Sequence, residues 1–477
     1  MGGNVAAAGN AGGSAGFLER QFRLRENRTN PRTEILAGLT TFVVMAYIIA
    51  VNPAVLGAAG LDNRAVATST CLVAGLLSIA MGLYTNRAFA LAPGLGLNAI
   101  VAYNLVGGLG LTPAEAMGVV VVEGLLITVL VLVGVRKYVM DVVPATLSRA
   151  ISVGIGFFIL FIGLRNAGLI TFIPGQTGSY DGLLSLTPLN SWPIFVSMIG
   201  LLVTVVLMAR GVRAAILIGI VVATVVAFLV PGDVARLPEQ PLAGPDFSLL
   251  GQVSFGFFAK LGLLTAVLAI VSFMLSDFFD TMGTLIGVGS EAGYLDKKGD
   301  LIDGQKPLLV DSLGAVAGGL ASSSSATTFV ESAAGVAVGG RTGLVAVVTG
   351  LLFLLALPFV AVVAAIPTVA TAAALIVVGV LMVGVLSEAD PTAAAGSPVR
   401  KMAIDFRSLD DGLPAVLTML VMPLTFSITN GIGAGFVSYV LVKLASGKGR
   451  EVHPVLYVVA AAFLVYFLRW ALFGAQF

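Results

Sequence analysis

The sequence predicts a polytopic, all-α membrane protein, on three observations. Hydrophobic residues make up 58% of the 477, and charged residues 11%, against roughly 45–50% and about 25% in soluble domains. Mean hydropathy is +1.02. The apolar residues fall in runs of membrane-crossing length, enough for roughly 14 spans of about 20 residues. So few charges could not shield that much apolar surface from water, which excludes soluble enzymes, nucleic-acid binders and disordered scaffolds. A net charge of +1 offers no patch for nucleic acid. One cysteine, Cys71, and one histidine, His453, exclude an internal disulfide, a thiolate cluster and an imidazole-built metal centre.

Residues 1–34 read as a cytoplasmic tail. They are Gly/Ala/Asn-rich and then basic at Arg20, Arg23, Arg25 and Arg28, with no apolar core of signal-peptide length before Ile35. Spans follow at about 35–56, 65–84, 91–106, 113–134, 146–168, 192–209 and 213–230. Residues 231–256 form a polar loop rich in proline (Pro231, Pro238, Pro241, Pro245), placed on the extracytoplasmic side. The second set runs at about 257–289, 308–320, 326–340, 343–365, 369–387, 411–427 and 430–446. The C-terminal segment, 447–477, holds a fifteenth apolar run at 453–473.

With the tail inside and the spans alternating, Arg87, Arg136, Lys137, Arg149, Arg210 and Arg213 fall on the cytoplasmic side. So do Lys297, Lys298, Lys306, Arg341, Arg400, Lys401, Arg407, Lys443, Lys448 and Arg450. The outer side holds Arg64 and Arg236 in loops, plus Arg165 and Lys260 near helix ends. The bias fits the positive-inside rule. Seven spans, an odd number, precede the 231–256 loop, so the second seven start from the opposite face. The chain is thus arranged as two inverted repeats, 35–230 and 257–446, an architecture of secondary transporters with the site at the repeat interface.

The third span of each half is abnormal. AFALAPGLGLNAIVAYN (88–104) is broken by Pro93, Gly94 and Gly96; SSSSATTFVESAAGVAVGG (322–340) opens on four serines and two threonines. Short, interrupted segments in corresponding places point to a transport site. Each is expected to be a short extended piece leading into a half-helix, its freed backbone groups facing protein or water rather than lipid.

A carboxylate at the bilayer centre costs on the order of 3 kcal/mol. Glu123, Asp277, Asp280 and Glu331 carry that cost within apolar runs. Asp277, Asp280, Thr281 and Thr284 recur at i, i+3, i+4 and i+7, so they share one helix face. That stripe reads as a substrate or proton site, or as a hydrogen-bonded helix seam. Glu331 reads as a ligand or proton group, and Thr328-x-x-Glu331 also fits a capping box. Asn98 can donate and accept at once, which suits a heterocycle edge or a bridge between helices. Glu123 stands alone in VVVVEGLLITVL and reads as a structural pairing. The glycine spacings, such as Gly335 to Gly339, read as close helix packing.

Five motifs give the chain a resemblance: TTFVVMAYIIAVNP (40–53), APGLGLNAIVAYN (92–104), RAISVGIGFFILFIGL (149–164), LSDFFDTMGTLIGVGSEAGYLD (275–296) and TTFVESAAGVAVGGRTG (327–343). From about residue 17 to 473 the chain resembles the AzgA-type guanine/hypoxanthine permeases, a branch of the nucleobase–cation symporters related to the nucleobase–ascorbate transporters. The resemblance implies a 14-helix fold with a core domain (35–134 and 257–365) and a gate domain (146–230 and 369–446). It also implies a purine bound between the half-helices, proton symport, and functional roles for Asp277, Asp280, Glu331 and Asn98. The stretch Glu331-Ser332-Ala333-Ala334-Gly335 departs from the signature of the xanthine, uric acid and uracil branch, which argues against those substrates. The 453–473 run exceeds a 14-helix count. Either 411–446 is one broken helix or a terminal helix has been added.

The expectation is a carrier in the cell membrane, importing hypoxanthine, guanine or adenine with a proton by alternating access and using no cofactor. Substrate contacts are assigned to Glu331, Asp277, Asn98 and Thr328, and proton coupling to Asp277 and Asp280. Partners are the purine, the proton and the lipid bilayer, with a homodimer open to it. A xanthine/uracil-type carrier and an anion exchanger of the same architecture are the alternatives. A membrane enzyme would want a nucleophile or metal ligands.

Overall fold

The computed structural model describes residues 17–134, 142–172, 184–236, 244–296, 301–363, 365–387 and 404–473. Residues 1–16 of the tail lie outside this set, as do Pro238, Pro241 and six basic residues used for orientation: Arg136, Lys137, Lys297, Lys298, Arg400 and Lys401.

Each expected span contains a helix among the described residues. The first seven helices are α1 (Pro31–Ala59), α2 (Asn63–Thr85), α3 (Leu95–Gly108), α4 (Pro113–Leu132), α5 (Ala145–Asn166), α6 (Trp192–Ala209) and α7 (Ala215–Leu229). The second set is α8 (Phe257–Ala292), α9 (Gln305–Leu320), α10 (Ser332–Ala337), α11 (Gly343–Val363), α12 (Thr368–Val383), α13 (Leu409–Leu424) and α14 (Ile428–Ala445), followed by α15 (Pro454–Phe473). Among the described residues, eight of these (α1, α2, α4, α5, α6, α8, α11 and α14) are long and apolar enough to cross a membrane. Shorter apolar helices are α3, α7, α12 and α15. Large apolar side chains such as Leu202, Leu229, Leu355 and Val458 stay exposed on the outside, as a lipid-facing surface requires.

Local chemistry starts the helices where the sequence changes character. Asn30 caps α1 by accepting from Thr33 N, with Pro31 at the first helical position. Thr112 and Glu115 form a reciprocal capping box on α4. Asp62 accepts from Ala65 N at the start of α2.

Helix packing repeats under exchange of the two halves. Adding seven to a label in the first half, and subtracting seven in the second, maps contacting pairs onto contacting pairs. The α2–α11 pair becomes α9–α4, α1–α11 becomes α8–α4, α5–α13 becomes α12–α6, and α6–α7 becomes α13–α14. The α5–α12 pair maps onto itself. Glycine allows the closest of these approaches. A Cβ on Gly82 of α2 would meet the carbonyl oxygen of Gly343 on α11, and one on Gly343 would meet that of Gly82.

Residues 409–445 form two helices, α13 and α14, packed on each other and joined at 425–427, where Phe426 has φ +50°. The stretch is therefore not one broken helix. The 454–473 run is an added helix against α14 and α8, outside the sevenfold correspondence. A small hairpin of β2 (Ile170–Phe172) and β3 (Leu184–Leu186), between α5 and α6, had no counterpart in the expected spans.

Candidate functional site

The extended pieces expected before the half-helices are present, and they meet. Strand β1 (Leu91–Pro93) pairs antiparallel with β4 (Ala326–Thr328), with Leu91 opposite Thr328, Ala92 opposite Thr327 and Pro93 opposite Ala326. The ladder continues on both sides: Gly94 N donates to Ser325 O at 2.9 Å and Phe329 N to Ala90 O at 2.9 Å. Two interrupted spans thus satisfy each other's backbone inside the protein, which lipid could not do. After β1 the chain enters α3, whose second part, Ile100–Gly108, is a π-helix. After β4 it enters α10, a helix of only six residues.

A cavity of about 80 Å³ opens where these pieces meet α1, α8 and α12. Its walls include Tyr47, Gly94, Asp280, Thr284, Thr328 and Glu331. The Tyr47 hydroxyl donates to Glu331 Oε1 at 2.5 Å. The helix-8 stripe divides its work. Asp280 and Thr284 face this cavity, while the Thr281 hydroxyl donates to Asp311 Oδ2 at 2.6 Å.

Thr328 and Glu331 do not form a capping box. Thr328 lies in β4, and both its N and its hydroxyl donate to Asp311 Oδ1, at 2.7 and 2.8 Å. Glu331 occupies the N-cap position of α10 without a side-chain capping bond. Thr328 N is taken by the Asp311 carboxylate of α9, and α10 starts at Ser332, so Thr328 does not stand at its N-cap. The ligand argument therefore rests on the Glu331 carboxyl itself and not on the end of so short a helix.

Asp277 is 2% exposed and lies behind the cavity wall. Its Oδ2 accepts from the Ser325 hydroxyl at 2.5 Å. Glu123 reaches the same place from α4, close to Asp277 and Ser325, so it is not isolated. Asn98 is fully buried with neither amide atom partnered. It is not among the residues lining the cavity, whose wall from α3 is Leu95 and Gly96.

Sequence reasoning missed Tyr47, Asp311 and Ser325. Asp311 could have been found, since it is another acid in an apolar run, LLVDSLGA. Tyr47 carries no such signal, because aromatic residues are ordinary in membrane helices. Among the described residues, no lysine, arginine or histidine lines the cavity. A larger cavity, about 460 Å³, lies beside Arg165, Asn166 and β2, away from the half-helices, with no carboxyl group among the described residues that line it. The arrangement of the smaller one suits a ligand that offers hydrogen-bond donors to Glu331, Asp280 and the threonine hydroxyls.

The profile of the permease family matches residues 32–395. The chain belongs to that family. It is 39% identical to the adenine permease AdeP of Escherichia coli over 94% of this chain and 96% of that protein. To the guanine/hypoxanthine permease PbuO of Bacillus subtilis it is 37% identical, over 93% of this chain and 99% of that one. Among solved structures, the transmembrane domain of the cyanobacterial bicarbonate transporter BicA superposes with a TM-score of 0.59 at 16% identity, covering 85% of this chain and 97% of that one. This permease is accordingly a multi-pass membrane transporter and not an enzyme, with a fold shared by distant carriers.

Proposed function

We propose that this permease carries purine nucleobases, namely hypoxanthine, guanine or adenine, by alternating access in symport with a proton. The observation that carries the reading is the Glu331 carboxyl, held by Tyr47 in the cavity between the two half-helices. A neutral purine presents N–H groups along one edge, and a carboxylate accepts from two at once. The relatives that match over nearly their whole length, an adenine permease and a guanine/hypoxanthine permease, support the same substrate class.

Direct contacts are assigned to Glu331 and Asp280, with Thr328 presented by Asp311. Asn98 would join only if α3 shifts. Asp277 is assigned to coupling. The densest helix packing lies within α1–α4 with α8–α11 and within α5–α7 with α12–α14. That grouping supports a core and a gate that rock against each other around the fixed site. The basic residues concentrated in alternate loops favour a cytoplasmic N-terminus in the cell membrane.

An anion exchanger is the reading that likeness to BicA would suggest. The cavity's acids and its lack of a cation argue against it. The deciding experiment is uptake of labelled hypoxanthine into proteoliposomes under an imposed pH gradient, competed by adenine, guanine, xanthine and uracil. Uphill uptake that a protonophore abolishes, competed by purines other than xanthine, is expected. Bicarbonate uptake without base uptake would refute the reading.

A further inference from the structure

Glu123 is a buried carboxyl that the base cavity does not use. It sits midway along α4, 0% exposed, and neither carboxyl oxygen receives a hydrogen bond. The Asp277 carboxyl on α8 and the Ser325 hydroxyl that leads into β4 lie close enough to interact with it. Ser325 has one proton to give, and Asp277 Oδ2 receives it at 2.5 Å. Beyond these lie more acids: Asp311 on α9, which interacts with both Glu123 and Asp277, and Asp280, which interacts with Asp277. No ion pair among the described residues involves Glu123 or Asp277.

Two ionised carboxyls facing each other in the protein interior repel strongly. One proton between them removes the repulsion and supplies the missing donor, as an O–H···O⁻ bond of the short, charge-assisted kind. We propose that Glu123 and Asp277 form a two-carboxyl, one-proton site that holds the coupling proton outside the base cavity. The inference rests on the symport reading above and deepens it by naming a second group and a location.

The location explains how a proton and a base could influence each other without touching. Ser325, bonded to Asp277 by its hydroxyl, accepts from Gly94 N through its carbonyl at 2.9 Å. Gly94 is in the cavity wall, as are Thr327 and Thr328 of β4. When the proton leaves, Glu123 and Asp277 separate, and Asp277 carries Ser325 and the β1–β4 junction with it. When it returns, the junction closes. The balance is a bare proton transfer: the pair gains or loses one H⁺ and no other bond changes.

The test compares full-length wild type with Glu123→Gln in proteoliposomes. The amide supplies a permanent donor to Asp277 in place of the shared proton. A one-unit pH gradient supports roughly a tenfold concentration ratio with one proton per base. Wild type is expected to approach that ratio. Glu123→Gln is expected to stay near unity while still exchanging labelled for unlabelled hypoxanthine across the membrane. A variant that accumulates base as wild type does overturns the proposal, leaving Glu123 a fixed structural hydrogen bond. Infrared difference spectra on a pH step provide a readout independent of transport and of substrate. The proposal expects a carboxyl C=O band in wild type that vanishes in Glu123→Gln. The same band in both proteins overturns it, even if the variant carries nothing. Should wild type carry no purine at all, the substrate reading fails while the infrared band still decides the proton site.

Discussion

Glu34 and Glu123 are both fully buried glutamates in long apolar helices, and the structure treats them in opposite ways. Glu34 collects four donors: the Thr29 hydroxyl at 2.8 Å, Arg341 N at 2.9 Å, Thr342 N at 3.1 Å and the Thr342 hydroxyl at 2.6 Å. It latches the start of α1 to the start of α11. Glu123 collects none. A buried carboxylate that serves packing is saturated with donors, because leaving one unmade costs free energy. One that must bind and release something keeps its acceptors open. Glu331 stands between them, with a single side-chain donor, Tyr47, and a cavity on its other side.

The comparison breaks most visibly at the latch. Glu34→Ala strands four donors in the interior and is expected to lower stability by on the order of 3 kcal/mol, read as a fall in Tm of the purified protein. A Tm unchanged from wild type would mean that water or another group satisfies those donors. A smaller effect sharpens the intermediate case. Tyr47→Phe removes the one donor that orients Glu331 and should weaken base binding by about 1 kcal/mol, roughly fivefold, with little change in Tm. Unaltered binding would show that Glu331 needs no orientation.

The smallest effect belongs to a half-buried carboxylate in a loop. Asp246 accepts from Ser248 N at 2.9 Å and pairs with Arg64 at 3.3 Å. The Ser248 hydrogen bond first, and Arg64 after it, hold its carboxyl below the usual range. Its stabilisation is therefore present above about pH 4, the unfolded value, and is lost as pH falls through the lower folded value. Asp246→Asn should cost less than about 1 kcal/mol at neutral pH, and the Tm difference from wild type should vanish in strong acid.

Much of this was legible because membrane folding writes its constraints locally. Run lengths located the helices, and the odd span count set the halves in opposite directions. Pro93, Gly94 and the serines of 322–325 marked the two interrupted segments that pair as β1 and β4. The site's wiring was not legible, because its partners are far apart in the chain. Tyr47 reaches Glu331 across 284 residues. Asp311 takes Thr328 N away from the capping box that local spacing suggested, whereas the same T-x-x-E pattern at Thr112 and Glu115 forms the box because Thr112 stands at the N-cap of α4. Glu123 read as a lone residue because its partner lies on another helix. An unmet hydrogen-bonding requirement has no sequence signature.

The central claim is that Glu331 recognises the purine. Calorimetric titration of hypoxanthine into purified wild type and Glu331→Gln tests it most directly. Loss of a charge-assisted hydrogen bond predicts binding weaker by roughly 1.5–3 kcal/mol, about one to two decades in affinity, with Tm retained. Equal affinity in the two proteins would contradict the claim and take Glu331 out of the site.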